Sequence, residues 1–88
     1  MQALTVKISD AELEVMRILW REKQAVSFSD IRAELSDKTG WEKSTIATLL
    51  RRLQKKGAIS IQEKEIRYYV PNITKEDYIT LKKRSLID

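Results

Sequence analysis

The chain has 88 residues, 42% hydrophobic and 34% charged, with a net charge of +4 and an isoelectric point near 9.5. That length holds one small domain, the composition is not that of a disordered tail, and the charge favours polyanionic partners over acidic substrates. Cysteine and histidine are both absent, which removes a disulfide frame, thiolate and imidazole metal ligands, and the commonest general base.

No carboxylate pair stands in a recognisable catalytic or metal-binding motif, so the expectation is a protein that is no enzyme and needs no cofactor. The opening "MQALTVKISDAE" has no apolar core of signal-peptide length. No apolar run nears the roughly 20 residues that span a bilayer. The chain reads as cytoplasmic, without a membrane partner.

In chain order, the first helix starts at "SDAE". Ser9 caps a free backbone N–H and Glu12 reaches back to it, a capping box. Ala11, Leu13, Val15, Met16, Ile18, Leu19 and Trp20 then cover more than half the helix circumference, leaving Glu14, Arg17 and Arg21 as a narrow wet strip. So wide an apolar arc needs more than one neighbour to cover it, which makes this the central scaffold helix. "QAVSFSDIRAEL" follows: Val26 and Phe28 favour extended backbone, and Ser27 with Asp30 offers a second capping box. Phe28, Ile31 and Leu35 share a face of a short helix ending near residue 36. "SDKTG" (36–40) is turn chemistry, and Trp41 plugs the core ahead of the next helix.

The third helix spans about Lys43 to Lys55, with Gly57 placed for a left-handed cap. Ile46, Leu49, Leu50 and Leu53 form its seam. After Gly57 the period falls to two. "AISIQ" sets Ile59 and Ile61 on one face, "IRYYV" sets Ile66, Tyr68 and Val70 on one face, and "EKE" between them makes a hairpin with a charged tip that Pro71 ends. One of Tyr68 and Tyr69 belongs to the core and the other to the exposed face. Thr74 caps a last helix whose apolar members are Tyr78, Ile79, Leu81 and Leu86.

Two short helices joined by a turn and followed by a ribbon make a winged helix-turn-helix. The fold is expected to be mainly α with a small β hairpin: a three-helix core, a two- or three-stranded wing and a further C-terminal helix. Residues 1–73 form the winged-helix domain and 74–88 the last helix. Opposite the seam of the third helix stand Ser44, Thr48, Arg51 and Lys55, flanked by Thr45, Ala47 and Arg52. Hydroxyls and a small residue let a helix sit deep against base edges, while Arg forks onto guanine or a phosphate. Arg51, Arg52, Lys55 and Lys56 complement the helix dipole and can reach the DNA backbone. Lys64, Arg67 and Tyr69 are candidate wing contacts. A winged helix that docks on a protein partner instead, without sequence-specific DNA binding, is the alternative.

"ISDAELEVMRILW", "W…STIATLLRRLQKKGAIS" and "YYVPNITKEDYI" together resemble the BlaI/MecI/CopY family of bacterial repressors over roughly residues 8 to 87. The resemblance implies a winged helix that binds palindromic operator DNA as a homodimer, with the third helix in the major groove. It puts the family's recognition threonines at Thr45 and Thr48 and its arginine at Arg52. "WEKS" departs from the family's W-S-P-K: Glu42 replaces a Ser cap, Lys43 a Pro, and Ser44 a frequent Lys. Ala47 also stands where a cation is frequent, a loss partly offset by Lys43 and Arg51. The wing is about one residue short, lacks the usual Gly and has Glu63 and Glu65 at its tip. The resemblance further implies that a dimerising, signal-receiving region follows the last helix, so the chain is expected to be the DNA-binding domain of a longer repressor and, alone, a monomer.

Overall fold

The element order is α1 (Asp10–Glu22), β1 (Val26–Ser27), α2 (Phe28–Thr39), α3 (Lys43–Lys55), β2 (Ile59–Glu63), β3 (Arg67–Pro71) and α4 (Lys75–Ile87). These come from a computed structural model that describes residues 7–87, with side chains as far as Lys82. Leu86 lies outside the described side chains.

The α1 capping box forms in full: Glu12 N–H donates to Ser9 Oγ at 3.1 Å and Ser9 N–H donates to Glu12 Oε1 at 2.9 Å. Val15, Met16, Ile18 and Leu19 of this helix are buried. It packs against α2, α3 and β3 at once, as an apolar arc of that width demands. Each fully buried Leu or Ile of the core gains about 2 kcal/mol by leaving water, and Leu19, Ile31, Leu35, Ile46 and Leu53 are such residues. At its C-terminal end α1 is held by Trp20, whose indole N–H donates to the Ile73 carbonyl at 2.8 Å and whose ring lies 5.7 Å from that of Tyr78.

The helix α2 runs further than the sequence pattern indicates. Residues 36–39 are helical and the stop is Gly40, at φ 78°, whose N–H bonds the Ser36 carbonyl at 2.9 Å. Ser36, Asp37 and Thr39 have low helix propensity, but a glycine in the left-handed position ends the helix wherever it stands. Only one arm of the second capping box is present: Ser27 Oγ accepts from Asp30 N–H at 3.1 Å. Asp is one methylene shorter than Glu, and Ser27 already belongs to a strand.

The sheet is antiparallel in the order β1-β3-β2. Val26 and Ile61 both pair with Tyr69, so Tyr69 faces the core and is 6% exposed. Ile66, Tyr68 and Val70 share the other side; Ile66, at the hairpin tip, is exposed. Of the two tyrosines Tyr69 is therefore the core residue, and it is too buried to serve as a wing contact. At the base of the wing, Asn72 donates its N–H to the Ala58 carbonyl at 2.8 Å and its amide to the Gly57 carbonyl at 3.2 Å. Thr74 Oγ1 caps α4 by accepting from Asp77 N–H at 3.0 Å. Tyr78 is buried and Ile79 exposed. Among the described residues no helix is long and apolar enough to cross a membrane.

Candidate nucleic-acid interface

The helix α3 buries Ile46, Leu49, Leu50 and Leu53 and leaves its opposite face outward. Its two ends differ. The N-terminal end has Glu42 as cap residue with no side-chain hydrogen bond, and no acid in the first turn, so its free N–H groups and positive dipole end stay open to solvent. The C-terminal end is closed by a Schellman motif: Gly57, at φ 83°, donates to the Gln54 carbonyl at 3.0 Å and Ala58 to the Leu53 carbonyl at 2.9 Å. The turn before α3 is held by Trp41, half-buried against the core. Its N–H donates to Thr39 Oγ1 at 3.1 Å and its carbonyl accepts from Ser36 Oγ at 3.0 Å.

Lys43, Ser44, Thr45, Arg51, Arg52 and Lys55 are exposed, and Ala47 and Thr48 half-buried. Helix α3 thus brings these eight expected contact residues onto one element. Its thirteen residues include no acid, and Lys43, Arg51, Arg52 and Lys55 take part in no ion pair among the described residues. Thr48 Oγ1 donates to the Ser44 carbonyl at 2.9 Å. With its hydrogen used there, the hydroxyl offers lone pairs, beside its methyl group, to whatever approaches.

The wing supplies less. Lys64 is exposed at the tip, where its N–H bonds the Ile66 carbonyl at 3.1 Å. Arg67 is exposed but tied by its Nε to Glu63 at 2.9 Å, and that carboxylate, first by its hydrogen bond, raises the guanidinium pKa above its ordinary value. Glu63 and Glu65 balance Lys64 and Arg67 in charge, so the tip has no excess field for a polyanion.

Lys56, grouped by sequence with the outward cations, turns inward. Its ammonium lies 2.6 Å from the carboxylate of Glu12, which is 1% exposed, and 2.6 Å from the Lys7 carbonyl. Burial pushes the Glu12 carboxyl up. The Lys56 hydrogen bond and charge, with the Ser9 N–H and hydroxyl, outweigh it and hold the pKa below the ordinary value. Reading Glu12 only as a cap overlooked this bond. The signal was present: Glu12 precedes Val15, Met16 and Leu19 by three, four and seven residues, so it lies on the buried arc, where a carboxylate requires a cation.

No cluster of His, Cys, Asp or Glu able to hold a metal exists among the described residues. Two surface clefts among the described residues, one around Val26 and Ala33 and one around Trp20 and Pro71, contain no residue of α3.

A helix-turn-helix followed by a two-stranded wing, whose sheet is completed by β1, with the outer face of the second helix exposed, defines a winged-helix domain. The family model described as penicillinase repressor matches residues 8–88, and the chain belongs to that family. It is 41% identical over 83 residues to the penicillinase repressor of Bacillus licheniformis, across 93% of this chain and 64% of that one. To the methicillin resistance regulatory protein MecI of Staphylococcus aureus strain N315 it is 43% identical over 67 residues, across 74% of this chain and 54% of that one. The chain therefore spans less than two thirds of either relative's length. The solution structure of the DNA-binding domain of the repressor BlaI superposes with a TM-score of 0.74 at 40% identity, covering 89% of this chain and 94% of that one. That of monomeric Bacillus licheniformis BlaI in complex with the blaP half-operator superposes with a TM-score of 0.73 at the same identity and coverage.

Proposed function

We propose that the chain is the sequence-specific DNA-binding domain of a transcriptional repressor and reads a palindromic operator with α3 in the major groove. The observation that carries this reading is the outer face of α3: hydroxyls at its open N-terminal end, followed by cations that pair with no acid among the described residues. In a major groove, Ser44, Thr45, Ala47 and Thr48 lie against base edges. The acceptor lone pairs of Thr48 suit an exocyclic amino group and its methyl a thymine methyl. Arg52 and Arg51 fork onto guanine or phosphate, and Lys43 and Lys55 take phosphates. Lys64 gives a weaker backbone contact from the wing, and Arg67 does so only by leaving Glu63.

Residues 1–73 are the reading unit, and 74–88 lead towards a dimerising region of the full-length protein. One chain meets one half-site, so tight binding to a palindrome needs the homodimer. Double-stranded DNA is the partner, the cytoplasm the compartment, and no catalysis is involved. The BlaI relative bound to a half-operator as a monomer supports this one-chain, one-half-site arrangement.

Selection of duplexes from a random pool by the wild-type chain tests the reading. A single enriched half-site motif is expected, with affinity falling steeply as salt rises. A pool that stays random, with one affinity for every duplex, sinks the reading and favours the protein-docking alternative.

A further inference from the structure

The Glu12–Lys56 pair is the one buried ion pair among the described residues, and it joins the first turn of α1 to the residue that closes α3. In the other ion pairs the cation's side chain is more than half exposed. Burying a carboxylate is costly unless a cation and further hydrogen bonds meet it. Here Glu12 Oε1 accepts both the Ser9 N–H at 2.9 Å and the Lys56 ammonium at 2.6 Å. The Lys56 backbone N–H in turn donates to the Arg52 carbonyl at 3.0 Å. The chain of bonds therefore runs from the α1 cap through Glu12 and Lys56 to the turn that carries Arg52.

We propose that Glu12 is a positioning residue for DNA reading: by clamping Lys56 it sets the orientation of the last turn of α3 and withholds that lysine from the duplex. The proposal rests on the reading of α3 as the DNA-contacting helix. A clamp of this kind has two consequences that a merely stabilising pair lacks. Releasing it loosens the helix end that presents Arg52, which costs sequence discrimination. It also frees one ammonium beside Arg52 and Lys55, which adds a phosphate contact of no sequence value.

The test measures wild type, Glu12→Gln, Lys56→Gln and Lys56→Arg on two duplexes across a salt series, with melting curves alongside. One duplex is the sequence the wild type enriches from a random pool, and the other is its scrambled counterpart. For Glu12→Gln the ratio of the two affinities is expected to fall about tenfold, the worth of one good base contact. Its salt slope on the scrambled duplex is expected to steepen by about 0.9, one added phosphate contact. Lys56→Gln loses discrimination with the slope unchanged, and Lys56→Arg regains it.

A folded Glu12→Gln that discriminates as the wild type does overturns the proposal. So does a Lys56→Gln whose slope falls by about 0.9, since Lys56 would then be touching phosphate. Where Glu12→Gln melts below the assay temperature, the contrast between Lys56→Gln and Lys56→Arg decides. A wild type that enriches no duplex removes the DNA reading itself, and the proposal falls with it.

Discussion

The face shared by α1 and α2 and the outer face of α3 are both rich in charge, but they handle it in opposite ways. Between α1 and α2, the two guanidinium nitrogens of Arg21 meet the two carboxylate oxygens of Glu34 at 2.6 and 2.7 Å. Glu14 takes Lys38 at 2.8 Å and Arg17 at 2.9 Å. On α3 the cations Lys43, Arg51, Arg52 and Lys55 have no such partner among the described residues. The difference lies in the neighbours: α1 and α2 put acids and bases at facing positions, whereas α3 contains no acid at all. A paired cation has its field cancelled close by, and an unpaired one keeps it for a polyanion within a Debye length. What separates a structural face from a binding face is therefore where the acids are. The number of bases does not decide it.

Lys56 is the sharpest place to break that comparison, because it stands in sequence with the unpaired cations and in space with the paired ones. Lys56→Ala leaves the Glu12 carboxylate buried without its cation, and the expected loss is about 3 kcal/mol by denaturant titration at neutral pH. A loss within the range of an ordinary surface substitution would show that the pair is solvated.

Glu12 also predicts a pH dependence. Its folded pKa lies below the ordinary 4.5, so its contribution is full above that value and is lost as pH falls through the depressed one. Denaturant titrations at pH 7, at pH 5 and well below pH 4 are expected to show the wild type losing more stability on acidification than Glu12→Gln. Parallel losses in the two proteins would rule that out.

On the unpaired side, Arg52→Ala is expected to weaken binding to the selected duplex by about 1–3 kcal/mol and to relax its sequence preference. Folding stability should stay within about 0.5 kcal/mol of wild type, since Arg52 is exposed and, among the described residues, bonded to no side chain. A drop in stability as large as the drop in affinity would place Arg52 among the structural charges.

The sequence pattern places α3 close to its observed bounds because two signals coincide there: the seam from Ile46 to Leu53, and Gly57, after which the period falls to two. The end of α2 lies beyond the sequence expectation because two signals conflict, the weak helix formers Ser36, Asp37 and Thr39 against a glycine stop at Gly40. Of the two neighbouring tyrosines, alternation alone could not choose, because each fits a strand equally well. The choice came from register, with Val26 on one side and Ile61 on the other placing Tyr69 inward. The outward residues of α3 were legible from helical spacing, since the face opposite a strong seam is exposed whatever the tertiary context. The inward turn of Lys56 was not, because its partner is 44 residues away and local charge patterning carries no information over that distance.

The smallest effect expected sets one exposed cation from each face side by side. Lys55 lies on the unpaired face and Arg21 on the paired one, and alanine at either position removes one positive charge from the chain. If net charge alone governed attraction to DNA, both variants would lose the same affinity and flatten the salt dependence equally. If pairing decides, Lys55→Ala flattens the slope by about 0.9 on specific and scrambled duplexes alike. Arg21→Ala leaves the slope where it was and slightly lowers the melting temperature, because its guanidinium forks onto Glu34. A salt series on both duplexes with the two variants separates these outcomes, and equal slopes for the two would refute the division between paired and unpaired faces.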